Sequence, residues 1–129
     1  MNTPDNLRYS KSHEWIRIDG ETVTIGVTEH AQEQLGDIVY VELPKVGEDV
    51  AREGTFGVLE SVKAVSDCYS PISGKIIQVN DSLVDAPQTI NEDCYGEGWI
   101  VRLEPSNPSE LEALLDCAAY TKFVDEESA

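Results

Sequence analysis

Glu60-Ser61-Val62-Lys63-Ala64, entered through Phe56-Gly57-Val58-Leu59 and left through Val65-Ser66-Asp67-Cys68-Tyr69, sets one lysine between two short apolar runs. The chain has to turn back on itself there, so the stretch reads as a hairpin with Lys63 at its tip. An enzyme that modifies a lysine needs the amine extended, solvated and held on a stiff support. Small and apolar neighbours at a hairpin tip (Ser61, Val62, Ala64) meet that need without specifying the group that is added. The ordinary alternative is an exposed turn lysine.

The surroundings of that tip are strongly acidic. Across 129 residues, 25 acids stand against nine bases, for a net charge of −16. Such a surface repels phosphate backbones and anionic lipids, which disfavours nucleic-acid and membrane-surface roles. It speeds association with basic clefts on partner proteins. The length suits one domain, expected over residues 1–129 with a core from about 7 to 124 and an acidic tail at 125–129. An apolar fraction of 40% is ordinary for a globular chain and too high for a disordered one. No apolar run reaches the roughly 18 residues a membrane helix needs. The first six residues lack a signal or transit pattern, so a cytoplasmic address is expected, bacterial in the first instance, with a processed mitochondrial form as the alternative. Cys68, Cys94 and Cys117 are odd in number, widely spaced and without a C-x-x-C pair; reduced thiols are expected, with no disulfide framework and no metal site.

Outward from the hairpin the chain reads as short strands broken by turns. Trp15–Ile18 forms a strand closed by Asp19-Gly20, and Val23, Ile25 and Val27 alternate as a return strand with one buried face. Thr28 caps a short helix that runs through Ala31 and Leu35 to a stop at Gly36. Ile38–Val41, Lys75–Val79 and Trp99–Leu103 are further strands. After Pro108, Ser109 caps an amphipathic helix carrying Leu111, Leu114 and Leu115, and residues 125–129 form a frayed solvated tail. Lys45–Val50 and Gln78–Leu83 share a loose pattern at an offset of 33 residues, as two half-units around the hairpin would. Together these imply a compact antiparallel β-sandwich with helices at its periphery.

No residues assemble an autonomous catalytic site. Both histidines, His13 and His30, lie early and neither neighbours a nucleophile elbow; no glycine-rich loop opens a helix. Autonomous catalysis is therefore not expected.

Over nearly its whole length the sequence resembles the H proteins of the glycine cleavage system. The resemblance runs through Tyr9, Ser12-His13-Glu14-Trp15, Ile25-Gly26-Val27-Thr28-Glu29-His30-Ala31, Leu35-Gly36-Asp37 and Val41-Glu42-Leu43-Pro44. It continues through Val46-Gly47, Glu60–Ala64, Pro71-Ile72-Ser73-Gly74, Val79-Asn80, Tyr95-Gly96-Glu97-Gly98-Trp99 and Tyr120. It implies a mainly β barrel-sandwich hybrid of two small antiparallel sheets with short peripheral helices, one at the C-terminus. It implies lipoate in amide linkage to Lys63, with Glu60 and Gly74 helping lipoylating enzymes to fit the hairpin. For Gly74 the residue type agrees, since glycine allows an approach that a Cβ blocks.

The implied role is transport by a monomer. The arm would take an aminomethyl group from a pyridoxal-phosphate glycine decarboxylase (P protein) to a tetrahydrofolate-dependent aminomethyltransferase (T protein). A flavin dihydrolipoamide dehydrogenase (L protein) would then reoxidise it. A cationic, water-labile cargo favours a sheltering cleft with a carboxylate, for which Glu14 and Ser12 are the candidates, with Asp67 as a third. His30 is expected to be structural. Cys68, Cys94 and the segment Gln88–Cys94 depart from the family pattern. The rival readings are a lipoate relay to other lipoyl domains, a 2-oxoacid dehydrogenase lipoyl domain, a biotin carrier and an acidic interaction module without a cofactor. The 2-oxoacid reading usually has D-K-A at the lysine, and the biotin reading needs methionines around it.

Overall fold

A computed structural model of the chain describes residues 3–128. Among the described residues nine strands form two sheets, and every pair is antiparallel. The strands are β1 (Arg8–Tyr9), β2 (Glu14–Asp19), β3 (Thr22–Val27), β4 (Ile38–Glu42), β5 (Asp49–Val50), β6 (Thr55–Ser61), β7 (Val65–Tyr69), β8 (Gly74–Val79) and β9 (Val101–Pro105). The six-stranded sheet runs β1-β2-β3-β9-β8-β5, and the three-stranded sheet β4-β6-β7. Between them lies a core that includes Ile16, Ile25, Ile38, Leu59, Ile72, Ile76 and Leu103, all nearly or fully buried.

Local chemistry explains most of these elements. Asp19 and Thr22 pair across a tight turn in which Gly20 takes a φ of 67°, closing β2 onto β3. Thr28 Oγ1 accepts the Ala31 N–H, capping α1 (Glu29–Leu35), which ends at Gly36 as the residue pattern anticipates. Residue 26 has to be glycine for packing reasons. Trp15 stands opposite Gly26 in the β2–β3 register, and a Cβ at 26 would fall 2.6 Å from the indole. Trp15 in turn donates its Nε1–H to the Cys94 carbonyl at 2.8 Å, fastening the 93–98 loop to the sheet.

Several expectations are corrected. β3 is buried on both faces, because Thr24 and Gly26 are covered as well as Val23, Ile25 and Val27. The last strand begins at Val101, since Trp99 and Ile100 belong to the preceding loop, where the Trp99 carbonyl accepts from buried Asn80. Two one-turn helices, α2 (Ser82–Asp85) and α3 (Thr89–Glu92), occupy a stretch to which the residue pattern assigns no element. The two segments of the loose repeat differ, one ending in β5 and the other running into α2.

The helix expected after Pro108 is a 3-10 segment, Pro108–Ala113, in which Ser109 makes no cap. The C-terminal helix is instead α4 (Cys117–Ser128), and residues 125–128 continue it rather than fraying, while Ala129 lies outside the described residues. Tyr120 and Val124 bury against Leu7, Tyr9 and Trp15, forming a second apolar cluster outside the sandwich. Tyr9 also bonds the backbone of Leu115 in both directions, drawing β1 and the start of α4 together. No described helix is long and apolar enough to cross a membrane.

Gly26→Ala tests the Trp15 contact. The added methyl displaces a fully buried ring, which costs about 1–3 kcal/mol and should shift the urea midpoint and the tryptophan emission together. An unchanged midpoint would show that the indole has room to spare.

Candidate functional site

Lys63 stands where the hairpin reading puts it. β6 and β7 pair from Thr55↔Tyr69 to Glu60↔Val65, and the four residues Ser61–Ala64 close the turn. Ser61 holds that turn. Its N–H donates to the Ala64 carbonyl at 2.8 Å, and its Oγ accepts from the Ala64 and Lys63 N–H groups at 3.1 and 3.3 Å. A hydroxyl that satisfies tip amides in this way stiffens the turn without glycine or positive φ. Lys63 is exposed, and its side chain reaches back across Gly36, where a Cβ would stand 3.4 Å from Lys63 Cε.

The ground beneath Gly36 is set by Asn91. Its Oδ1 accepts from Ile38 N–H at 2.8 Å, and its Nδ2 donates to the Gly36 carbonyl at 2.8 Å and to Gln32 Oε1 at 2.9 Å. The atypical segment 88–94 therefore braces the corner over which Lys63 lies.

An apolar apron surrounds the tip. A bulge between Ile38 and Tyr40 sends both Val39 and Tyr40 to the surface, while Val62 and Val65 are 76% and 66% exposed. Half-buried Glu60, paired with Tyr40 and Val65, is the acid in this patch.

Glu14 and Ser12 are brought together; Asp67 is not joined to them. Ser10, Ser12, His13 and Glu14 form a tight connection between β1 and β2, with His13 at a φ of 70°. That left-handed residue throws alternate side chains to opposite sides. Glu14 Oε1 accepts from Ser10 Oγ at 2.6 Å and from Ser12 Oγ, and Glu14 Oε2 accepts the Tyr69 N–H at 3.3 Å. Since β7 is the free edge of its sheet, Glu14 satisfies an edge amide and ties the two sheets together. Glu14 is 2% exposed, so it is no ordinary surface acid. Burial pushes its carboxyl up to about 7, against the downward pull of the hydrogen bonds from Ser10, Ser12 and Tyr69. Asp67 is exposed on the face opposite Cys68, and among the described residues no side-chain hydrogen bond links it to Glu14 or Ser12.

A cleft of about 640 Å³ opens over this point, lined by Ser10, Ser12, Arg52, Tyr69 and Leu114 among others. Glu14 lies behind the two serines that form part of its wall. Ser10 is the member that sequence reasoning missed; a hydroxyl four residues before a buried acid was its signal.

Gly74 sits away from the tip, in the six-stranded sheet opposite Pro105. A Cβ there would come within 2.5 Å of the Glu104 carbonyl oxygen, so the close approach expected of this glycine is one between β8 and β9. Cys68 and Cys94 are buried, and burial raises both thiols, Cys94 to about 12, which leaves them protonated and unreactive.

Two packed antiparallel sheets from which a stiff hairpin lifts one exposed lysine define the barrel-sandwich hybrid, the lipoyl-domain-like class of carrier scaffold. The family model for the glycine cleavage H-protein matches residues 7–127. The glycine cleavage system H protein of Anaeromyxobacter sp. (strain K) is 58% identical over 127 residues, covering 98% of this chain and 99% of its own. The mitochondrial glycine cleavage system H protein of Oryza sativa subsp. indica is 54% identical, covering 97% of this chain and 76% of that protein. The crystal structure of a glycine cleavage system H protein from Mycobacterium marinum superimposes with a TM-score of 0.85 at 37% identity, covering 98% and 99% of the two chains. This chain belongs to the glycine cleavage H-protein family.

Two outcomes check the site. The folded chain holds a proton on Glu14 that the unfolded chain releases between pH 4.5 and about 7. The contribution of Glu14 to stability should therefore fall as pH rises through that window, by about 3 kcal/mol. Glu14→Gln should flatten that slope in urea titrations at pH 5 and 7.5; parallel curves for the two proteins would rule out the buried proton. Gly74→Ala should lower stability by about 1–3 kcal/mol, with an unshifted melting curve counting against the Glu104 contact.

Proposed function

We propose that Lys63 carries lipoate in amide linkage and that the chain is a non-catalytic shuttle of the glycine cleavage system. It would visit the glycine decarboxylase, the aminomethyltransferase and the dihydrolipoamide dehydrogenase in turn. The observation that carries this reading is the exposed Lys63 amine on a turn clamped by Ser61. The family is a lipoate-carrying one, and the residues fit such an arm. The amine is accessible, the tip is stiff, the Cys68 and Cys94 thiols are buried away from a dithiolane, and a cleft large enough for a small chain and its cargo lies on the same molecule. When bound, the dithiolane supplies a reversible disulfide on which a one-carbon amine can be carried.

The chain's own residues would then present, shield and recognise. Val62, Val65 and Tyr40 give partner enzymes and lipoylating enzymes an apolar footing around the amine, with Glu60 as a fixed charge within it. Gly74 would serve lipoylation through the close approach of β8 to β9, which keeps the six-stranded sheet in shape. At the cleft, Ser12 offers its hydroxyl and Glu14 a carboxyl balanced near neutrality. A cation drawn into the cleft lowers the proton affinity of Glu14, so the negative charge develops when the cargo arrives. Asp67 contributes a solvated charge along the approach. The acidic surface guides the loaded carrier, as a monomer in the cytoplasm, to basic partner clefts.

Co-expression with a lipoylating enzyme should add one lipoyl group by intact mass, and Lys63→Ala should abolish it. A wild-type chain that stays unmodified overturns the carrier reading. Fully lipoylated protein should then support glycine decarboxylation with the three partner enzymes. Its failure to do so would assign the chain to lipoate relay.

A further inference from the structure

Three residues from three elements converge on the side of the Ser10–Glu14 connection away from the cleft. His13 is the left-handed residue before β2, His30 lies in the first turn of α1, and Glu127 lies in the last turn of α4. Glu127 Oε1 is 3.1 Å from His13 Nε2 and 3.5 Å from His30 Nε2, and one donor atom from each residue lies within 4.8 Å of the others. The two imidazole centroids are 4.5 Å apart.

Neutral packing does not account for this arrangement. His30 is 9% exposed, and its Nε2 is sealed from water without a hydrogen-bond partner. Leaving such a group unsatisfied costs about 1–3 kcal/mol. Glu127 already receives His13 Nε2 in hydrogen-bonding geometry, and His30 Nε2 lies 3.5 Å from the same oxygen without forming a hydrogen bond.

A metal ion would satisfy all three groups at once. Tetrahedral bonds of about 2.0–2.2 Å hold donor atoms roughly 3.3 Å apart, and the two histidine-to-glutamate separations, 3.1 and 3.5 Å, bracket that spacing. The outer support is present as well. His13 Nδ1 is 2.8 Å from the Tyr120 hydroxyl, which is itself 2.8 Å from Thr28 Oγ1. That chain fixes the imidazole and leaves its Nε2 for coordination. Two imidazoles and one carboxylate suit a borderline cation; calcium and magnesium ask for more oxygens than the site offers. The Glu127 side chain is 41% exposed, which gives an entry path from solvent.

We propose that His13 Nε2, His30 Nε2 and Glu127 Oε1 form a binding site for zinc or a similar divalent transition-metal ion, with a fourth position left for water. Its consequence is mechanical, since one ion fastens α4 to α1 and to the turn that carries Glu14. The site owes nothing to Lys63 or to the carrier reading, and each can fail alone.

The test uses the full chain after chelator treatment, with Zn²⁺ in calorimetry and Co²⁺ in visible absorption. One equivalent should bind, raise the melting temperature, and give the spectrum of a four-coordinate nitrogen and oxygen site. Glu127→Gln, a change at an exposed side chain, and His30→Gln should each weaken Zn²⁺ binding roughly tenfold or more and cancel the thermal shift. The proposal is overturned if wild-type protein takes up no Zn²⁺, or if a variant whose circular dichroism matches wild type keeps full affinity. A thiolate-to-cobalt charge-transfer band would overturn it without any variant, by placing the ion on a cysteine.

Discussion

A lysine can be held clear of a protein only if the strands under it are anchored, and that constraint organises this molecule. β6 and β7 are pinned from the inner face by Phe56, Leu59 and Cys68, all buried. β4 holds one side of β6, and the amide of Tyr69 on the free edge of β7 is taken by Glu14 from the other sheet. The tip needs no anchor of its own, because the Ser61 hydroxyl satisfies its amides. Exposure at the tip thus depends on burial at Leu59 and Cys68, four and five residues from Lys63.

The same connection between β1 and β2 serves two ends. With His13 in a left-handed conformation, Glu14 turns inward under the cleft, and the His13 imidazole turns out towards α4. A buried carboxyl near neutrality on one side and a pair of imidazoles on the other are therefore coupled through one turn. α4 touches His13 through Tyr120 and Glu127, one peptide unit from Glu14.

Most of the sandwich was legible because its strands alternate or carry β-branched runs, and its breaks fall at the Asp19-Gly20 turn and the Thr28-capped helix. The hairpin could be read from composition alone, since Lys63 stands between two apolar runs. The C-terminal region misled for a physical reason. Leu111, Leu114 and Leu115 have helical spacing, yet Pro108 and a six-residue length confine the segment to a 3-10 turn. Tyr120, Phe123 and Val124 have the same spacing on the real helix, where the acidic run beyond them reads as a tail. The site was legible in its residues and not in their environment. Glu14 reads as one acid among 25 until the fold seals it under Ser10 and Ser12. His13, His30 and Glu127 are 17 and 97 positions apart, a spacing from which no motif could be drawn.

The backbone bonds between Tyr9 and Leu115, with Tyr120 and Val124 closing over Trp15, have a consequence for how the chain is made. During synthesis Tyr9 and Trp15 emerge about a hundred residues before the helix that covers them. At roughly 5–20 residues per second, the ribosome leaves that aromatic face uncovered for several seconds while the sandwich assembles behind it. The hairpin and its lysine are complete well before α4 exists. A nascent chain could thus display its modification site before its last layer has docked.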